Sequence, residues 1–148
     1  MKPKAKSTLR SLTIIVVVAI AAYFLNVEYQ SHLGQKALDS TGLEVLAFED
    51  ALARSQATGK PVLADLSAIW CPSCRRLDKE VLADEEVKAK IQKDYHFARI
   101  EYESEDGETF MKRYQVSGFP NLLVIDGDGN KLKHLPRTFS PEEFLAAL

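Results

Sequence analysis

Cysteine is scarce in this chain, with only Cys71 and Cys74 among 148 residues. Two cysteines exclude a multi-disulfide scaffold and a self-contained four-cysteine zinc or iron–sulfur site. All thiol chemistry is therefore confined to one Cys-x-x-Cys motif. Histidine is scarce too: His32, His96 and His134 lie far from the cysteines with no ligand spacing, which disfavours a shared metal site. A covalent c-type haem needs a histidine after the second cysteine, and Arg75 stands there. There is no excess of one charge, since 19 Lys and Arg face 21 Asp and Glu. Nucleic acid is accordingly a poor partner. No repeat or low-complexity tract interrupts the chain, and 46% apolar with 27% charged residues suits one domain with a real core.

Acidic residues are missing altogether before Glu28, whereas Lys2, Lys4, Lys6 and Arg10 all precede it. Without those four, the remaining 15 basic residues face all 21 acids, a difference of −6. Between Arg10 and Glu28 lie 17 uncharged residues including Leu12-Thr-Ile-Ile-Val-Val-Val-Ala-Ile-Ala-Ala-Tyr-Phe-Leu25. At about 1.5 Å per residue such a helix just crosses a hydrocarbon core of about 30 Å. Basic residues on its leading side predict the N-terminus in the cytoplasm and the rest translocated across the inner membrane, into the periplasm or outside the cell. A cleaved signal peptide is the competing reading, with Ala19-Ile-Ala21 as its small-residue site. The continuing apolar run Ala22-Tyr-Phe-Leu25 favours an uncleaved anchor. The expected organisation is a basic terminus over 1–11, a membrane span over 12–27, a polar stalk over 28–42 and a domain over 43–148.

Within that domain helical and strand-like periods alternate, the pattern of a mixed sheet flanked by helices. The sequence predicts strands at Val62–Leu66, His96–Tyr102, Asn121–Asp126 and Lys131–Leu135. It predicts helices carrying Phe48 to Ser55, Cys74 to Val81, Val87 to Ile91 and Glu108 to Tyr114. A last helix follows Ser140, with Pro141 at its first position and Glu143 completing a capping box. Asp126, Asp128 and Asn130 resemble the opening of a calcium loop, but Lys131 replaces the required glycine, and a hairpin turn suffices.

A Cys-x-x-Cys at a strand-to-helix junction puts the first sulfur at a helix N-terminus, where unpaired N–H groups stabilise a thiolate. Cys71 is then the nucleophile, and Cys74, three residues on, is placed to resolve a mixed disulfide. Pro72 suits the first helical turn because its missing N–H makes no intrahelical bond there. A purely structural disulfide would close too small a loop to constrain the unfolded chain much. Asp65 sits in the apolar strand Val62-Leu-Ala-Asp-Leu66 and is expected to be buried. Its pKa would rise if desolvation dominates and would be held down if Arg99 pairs closely with it.

These residues resemble the thioredoxin family over about 43–148, through Asp65 six residues before Cys71, Trp70 directly before it, and Gly118-Phe-Pro120 leading into Asn121-Leu-Leu-Val. The similarity is greatest to the C-terminal thioredoxin-like domain of periplasmic thiol:disulfide interchange proteins, from Gly59-Lys-Pro-Val-Leu to Leu77-Asp-Lys-Glu-Val81. It implies a thioredoxin-like fold, an aspartate behind the cysteines with Arg99 in place of a lysine nearby, and a cis Pro120 facing the active-site sulfur. It also implies supporting positions at Trp70, Pro72, Ser73 and Phe119. Ile69 stands where an acid is common in the family, and Pro72-Ser73 replaces Gly-Pro. The expectation is a membrane-anchored thiol-disulfide oxidoreductase needing no cofactor or metal. It would reduce disulfide-bearing proteins and draw electrons from a membrane partner. A disulfide oxidase or isomerase, and a redox-sensitive or metal-binding docking module, remain the alternatives.

Overall fold

The computed structural model describes residues 4–148, with side chains described from Arg10 onward. The basic stretch 1–11 therefore lies mostly outside the described side chains. The first element, α1, runs without interruption over Lys4–Ser40. Its apolar part is exposed, from Leu12 through Leu25, and is long and apolar enough to be a candidate membrane span.

Residues 28–42, expected as a polar, partly helical stalk, are helical to Ser40, and the last turns of the helix pack on the domain. Ala37 is fully buried, and Leu38 joins the core of the domain. Gly34 allows this, because a Cβ there would lie 1.8 Å from the Ile69 carbonyl oxygen. In the fold Gly34 is a contact point of the helix with the loop before Cys71.

The domain is built on a four-stranded sheet of order β2-β1-β3-β4, comprising β1 (Val62–Ser67), β2 (His96–Glu101), β3 (Asn121–Ile125) and β4 (Lys131–His134). β1 runs parallel to β2 and antiparallel to β3, and β3 pairs antiparallel with β4. The helices are α2 (Phe48–Thr58), α3 (Pro72–Leu77), α4 (Glu85–Asp94), α5 (Glu105–Tyr114) and α6 (Pro141–Ala147). Every residue of β1 is buried, as a central strand covered on both faces requires.

Side-chain alternation then sorts the core into two layers. Val62, Ala64 and Leu66 pack with Ala98, Ile100, Phe110 and Tyr114, on the side of α2 and α5. Leu63 and Phe97 pack with Leu77, Val81, Val87, Ile91 and Phe144, on the side of α3, α4 and α6. Asp65 and Ser67 share the face of Leu63, and Arg99 and Glu101 share that of Phe97. These four polar residues thus point under α3, whereas His96 faces the other way, toward Thr58 of α2.

The helix expected to carry Cys74, Leu77 and Val81 is not uniform. After Leu77 it widens into a π turn over Asp78–Leu82. The extra residue lets Val81 and Leu82 both reach the core beside Leu77, which one stripe of a regular helix would not allow. Caps otherwise follow the sequence: the Asp84 carboxylate accepts from the N–H groups of Glu86 and Val87, and Ser140 accepts from Glu143. The expected reciprocal half of the last capping box is absent, because the Glu143 carboxylate takes the Thr138 hydroxyl at 2.5 Å instead. α5 begins earlier than expected, at Glu105, since Ser104 caps it by accepting from Gly107 at 3.0 Å.

Gly107 tests whether packing or propensity rules this segment. Alanine is favoured over glycine inside a helix by about 1 kcal/mol. A Cβ at 107, however, would lie 2.3 Å from the Glu101 carbonyl oxygen and 2.7 Å from that of Tyr102. Both are backbone atoms that cannot yield cheaply. Overpacking of this kind costs about 1–3 kcal/mol, so Gly107→Ala should lower the denaturation midpoint rather than raise it. A midpoint at or above that of the parent chain would show that the turn relaxes freely.

Candidate active site

Cys71 is the N-cap of α3, in an extended conformation that ends the loop after β1. Its Sγ accepts from the Cys74 backbone N–H at 3.2 Å and lies 3.1 Å from the Ser73 hydroxyl. These are the orphan donors that a helix start offers to a thiolate. Pro72 occupies the first helical position. Both cysteines are free thiols, 3% and 2% exposed. Exposure therefore does not separate their roles; the helix-terminal donors at Cys71 do.

An aromatic group covers Cys71. Trp70, Tyr102 and Phe119 pack against the pocket of Ala68, Cys71 and Cys74. The Phe119 ring meets Trp70 edge-on at 5.5 Å and Tyr102 at 4.7 Å. The Trp70 indole N–H donates to Glu103 at 3.1 Å, which fixes the ring over the site. The Phe119–Pro120 bond is cis, and Pro120 is buried where β3 begins.

Behind the cysteines, Arg99 lies beside Asp65 in the parallel register of β1 and β2. Its Nε is 3.1 Å from Asp65 Oδ2, too poorly aligned for a hydrogen bond, and neither Asp65 oxygen accepts one from a described residue. The remaining guanidinium nitrogens donate to Asp78 and, at 2.9 Å, to the Ser67 hydroxyl. With its oxygen engaged by Arg99, the Ser67 hydroxyl is free to donate to the Cys74 sulfur, a contact that favours the thiolate.

Protonation follows from this layout. Burial pushes Cys74 up to about 12, and its hydrogen bond to Cys71 adds to the rise while Ser67 opposes it. Asp65 is fully buried, and desolvation lifts it from 3.8 to about 6 although Arg99 pulls it down. The two opposed expectations for Asp65 thus act together, and burial wins. Asp78 is raised by the same burial, with Arg99 again opposing. Burial lowers Arg99, but the two carboxylates outweigh it and hold the cation above its ordinary value. At neutral pH the pocket thus pairs a thiol that resists ionisation with a carboxylate able to accept a proton.

Most of the sequence-derived positions come together here: Cys71, Cys74, Trp70, Pro72, Ser73 and Phe119 around the sulfurs, with Asp65 and Arg99 beneath and Pro120 next to Phe119 across the cis bond. Four were missed. Ser67 lies two residues after Asp65 on the same strand face, and Glu101 two after Arg99. Asp78 lies four after Cys74, on the same side of its helix. Those spacings were visible, but only the fold shows that all three point into one pocket. Glu101 accepts the Ile69 N–H at 3.1 Å, and Glu103 accepts from the indole of Trp70. Arg75 points away from the sulfurs to Gln30 at 2.9 Å. Among the described residues no group of three or more His, Cys, Asp or Glu is arranged to hold a metal.

The model of the Thioredoxin-like domain family matches residues 48–148. The chain belongs to that family. Among its relatives is the thiol:disulfide interchange protein DsbD of Colwellia psychrerythraea, 27% identical over 132 residues that cover 84% of this chain and 22% of the relative. DsbD of Yersinia pestis is 32% identical over 79 residues, 53% of this chain and 13% of the relative. The chain thus spans less than a quarter of these relatives' length. Among solved structures, a thioredoxin from Thermus thermophilus matches with a TM-score of 0.64 and 25% identity, covering 70% of this chain and 82% of that one. The oxidised C-terminal domain of DsbD from Neisseria meningitidis matches at 0.56 and 25%, covering 70% and 95%.

Asp65 carries a pH-dependent stability term whose sign is fixed by its raised pKa. Below about 3.8 the carboxyl is protonated in both folded and unfolded chains and costs nothing; between 3.8 and about 6 the unfolded chain ionises first. Above 6 the full penalty remains, about 3 kcal/mol before relaxation of the charged cluster is discounted. Asp65→Asn should therefore stabilise the folded state by about 1–3 kcal/mol at pH 7, and the gain should vanish near pH 3.5. Arg99 is not stranded by the change, because it keeps Asp78. Urea melts at the two pH values decide, and a loss of stability at pH 7 would show that the Arg99 contact outweighs burial.

Proposed function

We propose that the chain is a membrane-anchored, extracytoplasmic thiol-disulfide oxidoreductase that reduces protein disulfides through Cys71 and Cys74. The observation that carries this reading is the division of the two thiols. One sits on helix-terminal donors, and the other lies over a buried carboxylate and cation. Membership of the thioredoxin-like family and similarity to thiol:disulfide interchange proteins support it.

In the forward step the Cys71 thiolate attacks one sulfur of a substrate disulfide, forming a mixed disulfide and releasing the other sulfur as a thiolate that takes up a proton. Cys74 then loses its proton, with Asp65 as acceptor, and attacks Cys71 Sγ. The second substrate sulfur leaves as a thiol, and Cys71–Cys74 becomes the disulfide. Two electrons and two protons have passed to the substrate, and a membrane dithiol donor restores the pair. Trp70, Phe119 and Pro120 shape the surface on which the substrate strand lies, and Ser73 and Ser67 each hold a hydroxyl beside one sulfur.

Burial of Cys74 supports the reducing direction. Burial raises the Cys74 thiol, which makes it a poorer leaving group from the Cys71–Cys74 disulfide and favours the dithiol as electron donor. The span over α1 and its basic leading side support an inner-membrane location with the domain in the periplasm or outside the cell.

Cys74→Ser removes the resolving attack and should trap partners as mixed disulfides that survive acid quenching and disappear on reduction. Cys71→Ser should trap few or none. Equal trapping by both variants, resolved on non-reducing gels, would reverse or erase the assigned roles.

A further inference from the structure

The matched family span begins at residue 48, so the docked end of α1 lies outside it, yet this helix meets the redox site directly. Gln30 accepts from Arg75, which follows Cys74 on α3. Gly34 rests on the backbone of Ile69, next to Trp70. Tyr23, Phe24, Asn26, Val27 and Gln30 wall a cavity of about 380 Å³ whose other wall is Trp70 and Glu103. Its one acidic group, Glu103, is engaged by the Trp70 indole, which leaves a lining of rings, Val27 and two neutral amides.

The position of this cavity along α1 sets its height. The uncharged run ends at Val27, and at about 1.5 Å per residue Gln30 stands about 5 Å and Gly34 about 10 Å beyond it. Tyr23 and Phe24 lie inside the run, near its outer end, where aromatic rings favour the water–lipid boundary. Trp70 shares a cavity with those rings and therefore stands level with the end of the span. α1 has no break between span and domain, so the site cannot swing away on a tether.

We propose that α1 forms one wall of a docking groove at the outer membrane interface. Its occupant is the boundary segment of an integral membrane protein that presents a cysteine at the outer end of a transmembrane helix. The proposal rests on the anchored oxidoreductase reading above. It is favoured by the continuity of the groove with the span: a segment reaching Trp70 along this wall passes Tyr23 and Phe24, at the depth where another protein's helix leaves the bilayer. The apolar, ring-rich lining with neutral amides suits such a segment better than a charged soluble strand.

Trp70 is the only tryptophan, which makes the full chain its own reporter. The pre-reduced chain is placed in phosphatidylcholine vesicles with or without a headgroup nitroxide lipid. Trp70 emission should fall at least twofold with the nitroxide. Two tryptophan-free single-span peptides then serve as probes, each with one cysteine capped by thionitrobenzoate. One carries it at the outer boundary and the other about 30 Å farther out on a helical extension. Attack by Cys71 releases the coloured thionitrobenzoate and leaves a mixed disulfide that Cys74 resolves. Release should be at least tenfold faster from the boundary peptide. Gly34→Leu, which forces α1 off Ile69, should abolish both the quenching and the preference, and Phe24→Ala should reduce the preference alone. Absent quenching, or equal release from the two peptides, overturns the proposal; quenching with equal release would assign the groove to lipid. Reduction of a soluble disulfide by the same vesicles checks the underlying activity, and its failure would remove the oxidoreductase reading as well.

Discussion

Arg99 lies between two carboxylates beneath a pair of sulfurs, and the arrangement of the redox half of the domain depends on that buried cation. Asp65 comes from β1, Arg99 from β2 and Asp78 from the turn that continues α3, so one guanidinium ties three elements together. Such a cluster is expensive to bury: either carboxylate can be lost while the other still pairs with Arg99, but removing Arg99 would leave two buried acids uncompensated, at a cost of about 3–5 kcal/mol. Its value lies in placement. The third contact, to Ser67, connects the charged group to the Cys74 sulfur, so the polar residues that strain the core also set the protonation of the thiol above them.

The same cluster explains why the helix carrying the cysteines is irregular. α3 must start at Cys71 to offer its N–H groups, pack Leu77 into the core and still turn Asp78 toward Arg99. The π turn accommodates these demands by adding one residue where the strictly regular helix would end its apolar stripe. On the opposite side, α1 fills the space that the loop before Cys71 leaves open. Its contact at Gly34 is backbone against backbone, the kind of approach only glycine permits.

Much of this was legible in the sequence because it obeys simple periods. The strand alternation in Val62-Leu-Ala-Asp-Leu66 placed Asp65 in an apolar setting, and the spacing of Cys71 and Cys74 at a helix start gave the chemistry. Pro120 needed the resemblance to a known family, since nothing local distinguishes a cis bond. Ser67 and Asp78 remained hidden: a serine ending a strand and an acid on a helix look solvated until the sheet register brings Arg99 between them. The docking of α1 was hidden for a different reason. Polar residues around Gly34 read as a stalk, because a contact to a distant backbone carbonyl leaves no trace in hydropathy or helical spacing.

The edges of the sheet bear on the proposed membrane anchoring, which would confine the chain to a plane. Confinement raises the local concentration of identical copies, and an open strand would then invite edge-to-edge polymerisation. β2 is shielded on its outer side, where Leu46 bridges to Ala98 and donates its N–H to Phe97. β4 is the open edge, fully exposed, and it carries Lys131 and Lys133 beside a register shift at Val124 and Ile125. Charge repulsion and a bent ladder make that strand a poor template for another copy. On such a surface, a short, lysine-marked border would let many anchored molecules crowd together and stay separate.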